Sequence, residues 1–142
     1  MTESETNRVK EEVREALNKI TEYSQEARLD SFLNAYHNCP DFLHFSADGK
    51  MRTYSEFRQI CTEYYTSLIR QKLFTISRTF QVLDANLVIT GWTGNINAQF
   101  KNGQSMNMSN YSVTHVFKKI GSDWKIIHSH ESSLPPEIIG RG

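Results

Sequence analysis

Residues 73–131 read LFTISRTFQVL-DAN-LVITGWTGNINAQF-KNGQ-SMNMSNYSVTHVFK-KI-GSD-WKIIHSHE, four long runs rich in β-branched and aromatic residues separated by short turn segments. The runs Leu73–Leu83, Leu87–Phe100, Ser105–Lys118 and Trp124–Glu131 are predicted strands. The connections Asp84-Ala85-Asn86, Lys101-Asn102-Gly103-Gln104 and Gly121-Ser122-Asp123 are too short for crossover helices, so neighbouring strands pair antiparallel in a meander. Strands this long must twist and curl, and Gly91 and Gly94 mark where a bend or bulge costs least. Curvature makes a concavity. Helices that cover only part of it leave a half-open cavity lined by alternate side chains of each strand. Beyond the last run, Pro135-Pro136 keeps the chain extended.

Upstream of the strands the texture is helical. Val9, Val13, Ala16, Leu17, Ile20 and Tyr23 recur in steps of three and four and line one helix face. Thr2 with Glu5 forms a capping-box spacing, and Ser4 or Thr6 are alternative caps. Asp30 reads as the N-cap of a short helix carrying Phe32, Leu33, Ala35 and Tyr36, which ends before Pro40. Phe42–Phe45 is a short strand closed by the Asp48-Gly49 turn. Thr53 with Glu56 opens a third helix whose stripe is Phe57, Ile60, Cys61, Tyr64, Tyr65 and Leu68. The fold class is α+β, with N-terminal helices packed on a strongly curved antiparallel sheet.

Composition excludes several classes. At 142 residues, 38% hydrophobic and 23% charged, the chain has the size and make-up of a single globular domain over 1–142. Sixteen basic against sixteen acidic residues leave no global field for nucleic acid, and no basic run supplies a local one. No secretory signal is readable and no stretch is apolar enough to span a membrane, so the expected setting is the cytoplasm. Cys39 and Cys61 fit neither a CxxC motif nor a zinc spacing and read as free thiols, each a small buried apolar side chain.

The closing run Trp124-Lys125-Ile126-Ile127-His128-Ser129-His130-Glu131-Ser132, preceded by a charged hairpin and followed by Pro135, resembles the last strand of the nuclear transport factor two superfamily. The chain is most similar to its SnoaL-like branch and to the association domain of calcium/calmodulin-dependent kinase II, which shares the Trp, His, His and Ser spacing. The order of helices and strands agrees along nearly the whole chain. The resemblance implies a cone-shaped α+β barrel with a pocket inside the cone, usually a homodimer joined through the outer face of the sheet. It decides little about function, because this fold carries isomerases, dehydratases, cyclases, transport factors and assembly modules.

Period two splits the last strand into Trp124, Ile126, His128 and His130 on one face and Lys125, Ile127, Ser129 and Glu131 on the other. The residues alone do not choose the inner set. In the kinase domain the position matching Glu131 holds a pocket arginine, so the resemblance turns Ile127, Ser129 and Glu131 inward. It places a second pocket arginine at His115, with Tyr111, Val113 and Phe117 also inside and Trp92 as a wall. Losing both arginines speaks against an anionic ligand and creates a titratable set instead.

Glu131, His115 and Tyr111 are therefore the candidate catalytic residues, a general acid/base group in an apolar cavity suited to proton transfer on a carbonyl compound. The alternative is that they satisfy one another, or Ser129, in a pocket that only binds, and that alternative is favoured. Candidate ligand contacts are Trp92, Tyr54, Tyr64, Tyr111, His115, Ser129 and Glu131, with the amphipathic rings chosen for a partly wet cavity and the other aromatics assigned to the core. His128 and His130 stand roughly 7 Å apart on one strand face, but without a third ligand they read as structural, and no metal is expected. His37 and His44 read as polar surface. Met106 and Met108, with Trp124 and Ile126, are assigned to the exposed side of the sheet, where a second copy would cover them and Ile138 and Ile139 would reach across. Three classes follow: a homodimeric small-molecule-binding domain, a cofactor-independent isomerase, cyclase or dehydratase, and an oligomerisation module.

Overall fold

In a computed structural model, which describes residues 1–140, helix α1 (Glu3–Gln25) begins at the Thr2/Glu5 capping box and buries Val9, Val13, Leu17, Ile20 and Ser24. Helix α2 (Leu29–Asn34) is shorter than its sequence suggests. Asp30 lies inside its first turn rather than capping it, since Arg28 occupies the N-cap and no side chain closes that end. Tyr36 falls beyond the helix because the chain there runs alongside the last long strand, with His37 N–H bonded to Ile126 O and Ile126 N–H to Ala35 O. After strand β1 (Leu43–Phe45) a turn at Gly49 leads to β2 (Met51–Arg52), a two-residue strand with no sequence signal of its own. Helix α3 (Tyr54–Ser67) opens on the Thr53/Glu56 capping box and buries Phe57, Cys61 and Tyr65.

The meander follows as β3 (Leu68–Asp84), β4 (Leu87–Phe100), β5 (Ser105–Ile120) and β6 (Asp123–Ser132), all antiparallel. Strand β3 starts five residues before the predicted Leu73, directly from the last turn of α3. The sheet order is β2-β1-β6-β5-β4-β3, and β1 joins β6 in parallel, so the sheet is mixed rather than purely antiparallel. After the two prolines, β7 (Glu137–Ile139) pairs with Ser105–Asn107 of the same chain, so the backbone of Ile138 and Ile139 is already engaged within the monomer.

Bulges curl this sheet, and each reverses which residues face inward. In β3 the partners step from Thr75/Gly94 to Ser77/Thr93, leaving Ile76 unopposed. In β5 they step from Gly94/Tyr111 to Ile96/Met108, so Ser109 and Asn110 face Asn95 alone, with Asn110 in the left-handed region at φ 51°. In β6 they step from Phe117/Ile126 to Val116/His128, leaving Ile127 unopposed. Trp124 and Ile126 consequently lie on the inner face, packed beneath the helices with Phe117, and not on the outer face assigned from strict alternation. Met106 and Met108 turn inward for the same reason. Gly94 sits at the tightest point: a β-carbon there would lie 2.2 Å from Phe74 O and 2.6 Å from the Trp92 ring.

Candidate functional site

The uncovered part of the concave face is a cavity of about 380 Å³ between α1, α3 and the sheet. Leu17 and Ile20 of α1, Ile60 of α3, and Leu73, Ile96 and Met108 of the sheet give it largely apolar walls. Met106 lines it too, which corrects the assignment of both methionines to a subunit contact.

Strand register sets the polar groups in two rows. One runs across β4, β5, β6 and β1 through Thr90, His115, Ser129 and His44, each the direct neighbour of the next. All four are buried, and His44 Nδ1 lies 2.5 Å from Ser129 Oγ. The other row holds Trp92, Val113 and Glu131. Tyr111 Oη donates to Glu131 Oε2 at 2.5 Å, and His44 Nε2 stands 3.9 Å from the same oxygen. That last separation is too wide for a hydrogen bond, and a ligand atom lying to one side of the pair, in the cavity, reaches both imidazole and carboxyl.

Burial decides the charge states. It raises the Glu131 carboxyl above its ordinary value, while the Tyr111 hydrogen bond pulls the other way. Burial depresses His44 to about 4, helped by the charges of Arg52 and His130. It depresses His115 to about 3, with His44 as a second cause. Both imidazoles are therefore neutral at neutral pH, each keeping one donor and one acceptor nitrogen. Tyr111 is pushed well above the usual phenol value, first by burial and then by Glu131, so it stays a donor. His115 Nε2 meets Tyr36 Oη at 3.4 Å. Further along, Tyr64 Oη donates to Gln71 Oε1 at 2.7 Å, and Gln71 in turn bonds Ser24. Trp92 Nε1 donates to Thr75 Oγ1 at 2.9 Å and presents its ring to the cavity.

Six of the expected ligand contacts thus belong to this neighbourhood. Trp92, Tyr64, Tyr111, His115 and Glu131 line the cavity, and Ser129 lies behind it, holding His44. Tyr54 is not among the residues that line the cavity; it packs edge-on against Phe42, 5.5 Å between centroids. His44 is the residue the sequence reading missed. It is 1% exposed, not surface, and it enters the site because β1 docks in parallel beside β6. In Phe42–Phe45 both faces are apolar, so alternation offered no sign that His44 points inward. His128 and His130 flank the Phe45 ring on the outer face, at 5.7 and 5.4 Å between centroids. No cluster of three metal-binding side chains occurs among the described residues.

A family model described as the SnoaL-like domain matches residues 13–136. The chain belongs to that family. No curated protein matches it in sequence. Among solved structures, this SnoaL-like chain is similar to a nuclear transport factor two-like superfamily protein from Salmonella enterica, with 20% identity, a TM-score of 0.77, and 92% of this chain and 94% of that one covered. A protein provisionally assigned as a scytalone dehydratase, from Novosphingobium aromaticivorans, superposes with a TM-score of 0.83 at 5% identity, covering 96% and 91%. A type 2 hexachlorocyclohexane dehydrochlorinase does so at 0.77 and 6% identity, covering 98% and 94%. At these identities the likeness establishes the α+β cone. Among the described residues no helix is long and apolar enough to cross a membrane.

Proposed function

We propose that this SnoaL-like chain binds a small organic molecule inside the cone and that the groups at its polar end move a proton on that molecule. The observation that carries the reading is the placing of His44 Nε2 and Glu131 Oε2 side by side, 3.9 Å apart, on the wall of an apolar cavity, a neutral imidazole next to a burial-raised carboxyl. When Ser129 donates to Nδ1, His44 carries its proton on Nε2, beside the Glu131 carboxyl at the cavity wall. Glu131 as carboxylate then removes a proton from a carbon next to a carbonyl. The electron pair moves onto the carbonyl oxygen, and His44 Nε2–H stabilises the enolate. Return of the proton to a different carbon gives isomerisation; departure of a β-hydroxyl as water gives dehydration. Solved relatives of the same cone carrying dehydratase and dehydrochlorinase names support this class of chemistry.

Incubation in D₂O with a panel of ketones and β-hydroxyketones tests the reading, with deuterium uptake followed by mass spectrometry. Wild type should wash deuterium into at least one compound, and Glu131→Gln should abolish uptake while the compound still binds. Equal uptake by both proteins sinks the chemistry and leaves a binding domain.

A homodimer is proposed as the working assembly, now resting on Phe74, Ile138 and Ile139, which stay half exposed in the monomer. Light scattering across a concentration series tests it; a monomer throughout removes the proposal. The cytoplasm is the proposed setting, supported by Cys39 and Cys61 being free.

A further inference from the structure

The row that ends at Glu131 begins at a cation. Arg78 of β3 is the direct neighbour of Trp92, Trp92 of Val113, and Val113 of Glu131, so one line across four strands carries a guanidinium at one end and a carboxyl at the other. The bulge at Ile76 is what turns Arg78 inward; without it, strict alternation from the cavity-lining Leu73 would send Arg78 to the outer face. Its side chain lines the cavity and is held in place by α1, with Nη1 donating to Asn18 Oδ1 at 2.5 Å and Nη2 to Thr21 Oγ1 at 3.1 Å. Both acceptors are uncharged. Arg78 forms no ion pair with a carboxylate among the described residues, and the only other arginine acting on it, Arg14, is a like charge already paired with Glu11. Its Nε is enclosed and without a hydrogen-bond partner, the only such side-chain atom among the described residues. A partly desolvated guanidinium with neutral acceptors and no counter-charge lacks the anion that such groups normally pair with.

We infer that Arg78 receives the acid group of the ligand, so that the molecule the cavity takes is a small organic carboxylate with a keto or hydroxyl group at its other end. The inference rests on the binding reading above and specifies its ligand class. Three strand spacings, about 14 Å, separate the α-carbons of Arg78 and Glu131. Trp92 and Val113 stand between them in the same row and also line the cavity, an apolar floor for the body of the ligand. A carboxylate suits the site better than a phosphate. One guanidinium balances one negative charge, a carboxylate meets it with two parallel bonds, and a dianion would share the cavity with Glu131 uncompensated.

The test is ligand-observed NMR titration with matched acid and amide pairs: benzoate and benzamide, 4-hydroxycinnamate and its amide, hexanoate and hexanamide. Wild type should prefer at least one acid over its amide by about tenfold. Arg78→Gln should bring that ratio close to one while the amide still binds, and Arg78→Lys should keep part of the preference. A purely structural arginine would leave the ratio unmoved while lowering stability. If amides bind as well as acids in wild type, or Arg78→Gln keeps the preference, the inference falls and the cavity reading stands. If phenyl phosphate binds more tightly than benzoate in an Arg78-dependent way, the carboxylate assignment is overturned. Binding of none of the probes, acid or amide, sinks the cavity reading and this inference with it.

Discussion

Tyr111 holds Glu131 through a 2.5 Å hydrogen bond that opposes the effect of burial on the carboxyl group. A donor of this kind stabilises the ionised form. Tyr111→Phe should therefore move the Glu131 titration to higher pH than in wild type. Carboxyl carbon NMR on selectively labelled protein measures it directly. An unmoved or lowered midpoint would mean that the phenol does not support the carboxylate.

The same raised pKa has a consequence for stability. A carboxyl that holds its proton more tightly when folded adds stability below its unfolded pKa, and that contribution disappears as pH rises through the folded value. Glu131→Gln keeps the size and the acceptor for Tyr111 but never ionises. At pH 7 it should melt above wild type, and the gap should close as pH falls towards 4. Thermal melts at four or five pH values decide this, and a variant less stable than wild type at pH 7 would contradict the sign.

His44 and His115 act in the opposite sense. Their folded pKa values, about 4 and about 3, lie below the unfolded imidazole value, so the stability linked to their neutral forms is complete above pH 6.5 and is lost as pH falls towards those values. Each should cost about 2 kcal/mol at pH 5 relative to pH 7. One carboxyl can bind at most one proton, worth no more than about 2.7 kcal/mol over two pH units, so the two histidines together outweigh Glu131 in this window. Urea midpoints for wild type should fall between pH 7 and 5, and the double variant His44→Gln/His115→Gln should show a much flatter dependence. Parallel curves for the two proteins would rule out the histidines as the source.

Gly91 and Gly94 separate two kinds of crowding. At Gly94 an added methyl meets the Phe74 carbonyl and the Trp92 ring, neither of which can yield without undoing the bulge. At Gly91 it meets only the Thr79 hydroxyl, 2.6 Å away, which can rotate aside. Gly94→Ala should cost about 3 kcal/mol or more and Gly91→Ala under about 1.5 kcal/mol by chemical denaturation. Equal losses would show that the bulge is not where the sheet is pinned.

How much of this was legible in the sequence depends on the range of the interaction. The two capping boxes, the α1 and α3 stripes and the span of β4 are local, and Thr2/Glu5, Thr53/Glu56 and Leu87–Phe100 announce them. Side-chain direction is local only between bulges. Alternation groups Tyr111, Val113, His115 and Phe117 on one face of an uninterrupted stretch of β5, but only the family resemblance turns that face inward, with Ser129 and Glu131; Ile127, expected beside them, is instead the unopposed residue of the β6 bulge. Met106, Met108, Trp124 and Ile126 lie on the other side of a bulge and were placed on the wrong face. Arg78 escaped notice for the same reason. His44 depends on a parallel pairing of β1 with β6 across eighty-odd residues, which no pattern within Phe42–Phe45 encodes.

The β6 bulge can itself be tested, because it assigns adjacent isoleucines to different environments. Ile126 is fully buried against Phe117 and Trp124, whereas Ile127 is the unopposed residue and is only partly covered. Truncating a packed isoleucine removes its transfer free energy and leaves a void, about 2–5 kcal/mol. Ile126→Ala should fall in that range and Ile127→Ala well below it, near 1 kcal/mol. If strict alternation held instead, with Ile127 sharing the inner face with Ser129 and Glu131, the order of the two losses would reverse. The comparison reports on the geometry that carries the site, since only a one-residue shift between Ile126 and His128 lets Trp124 close the core while Glu131, seven residues on, faces the cavity.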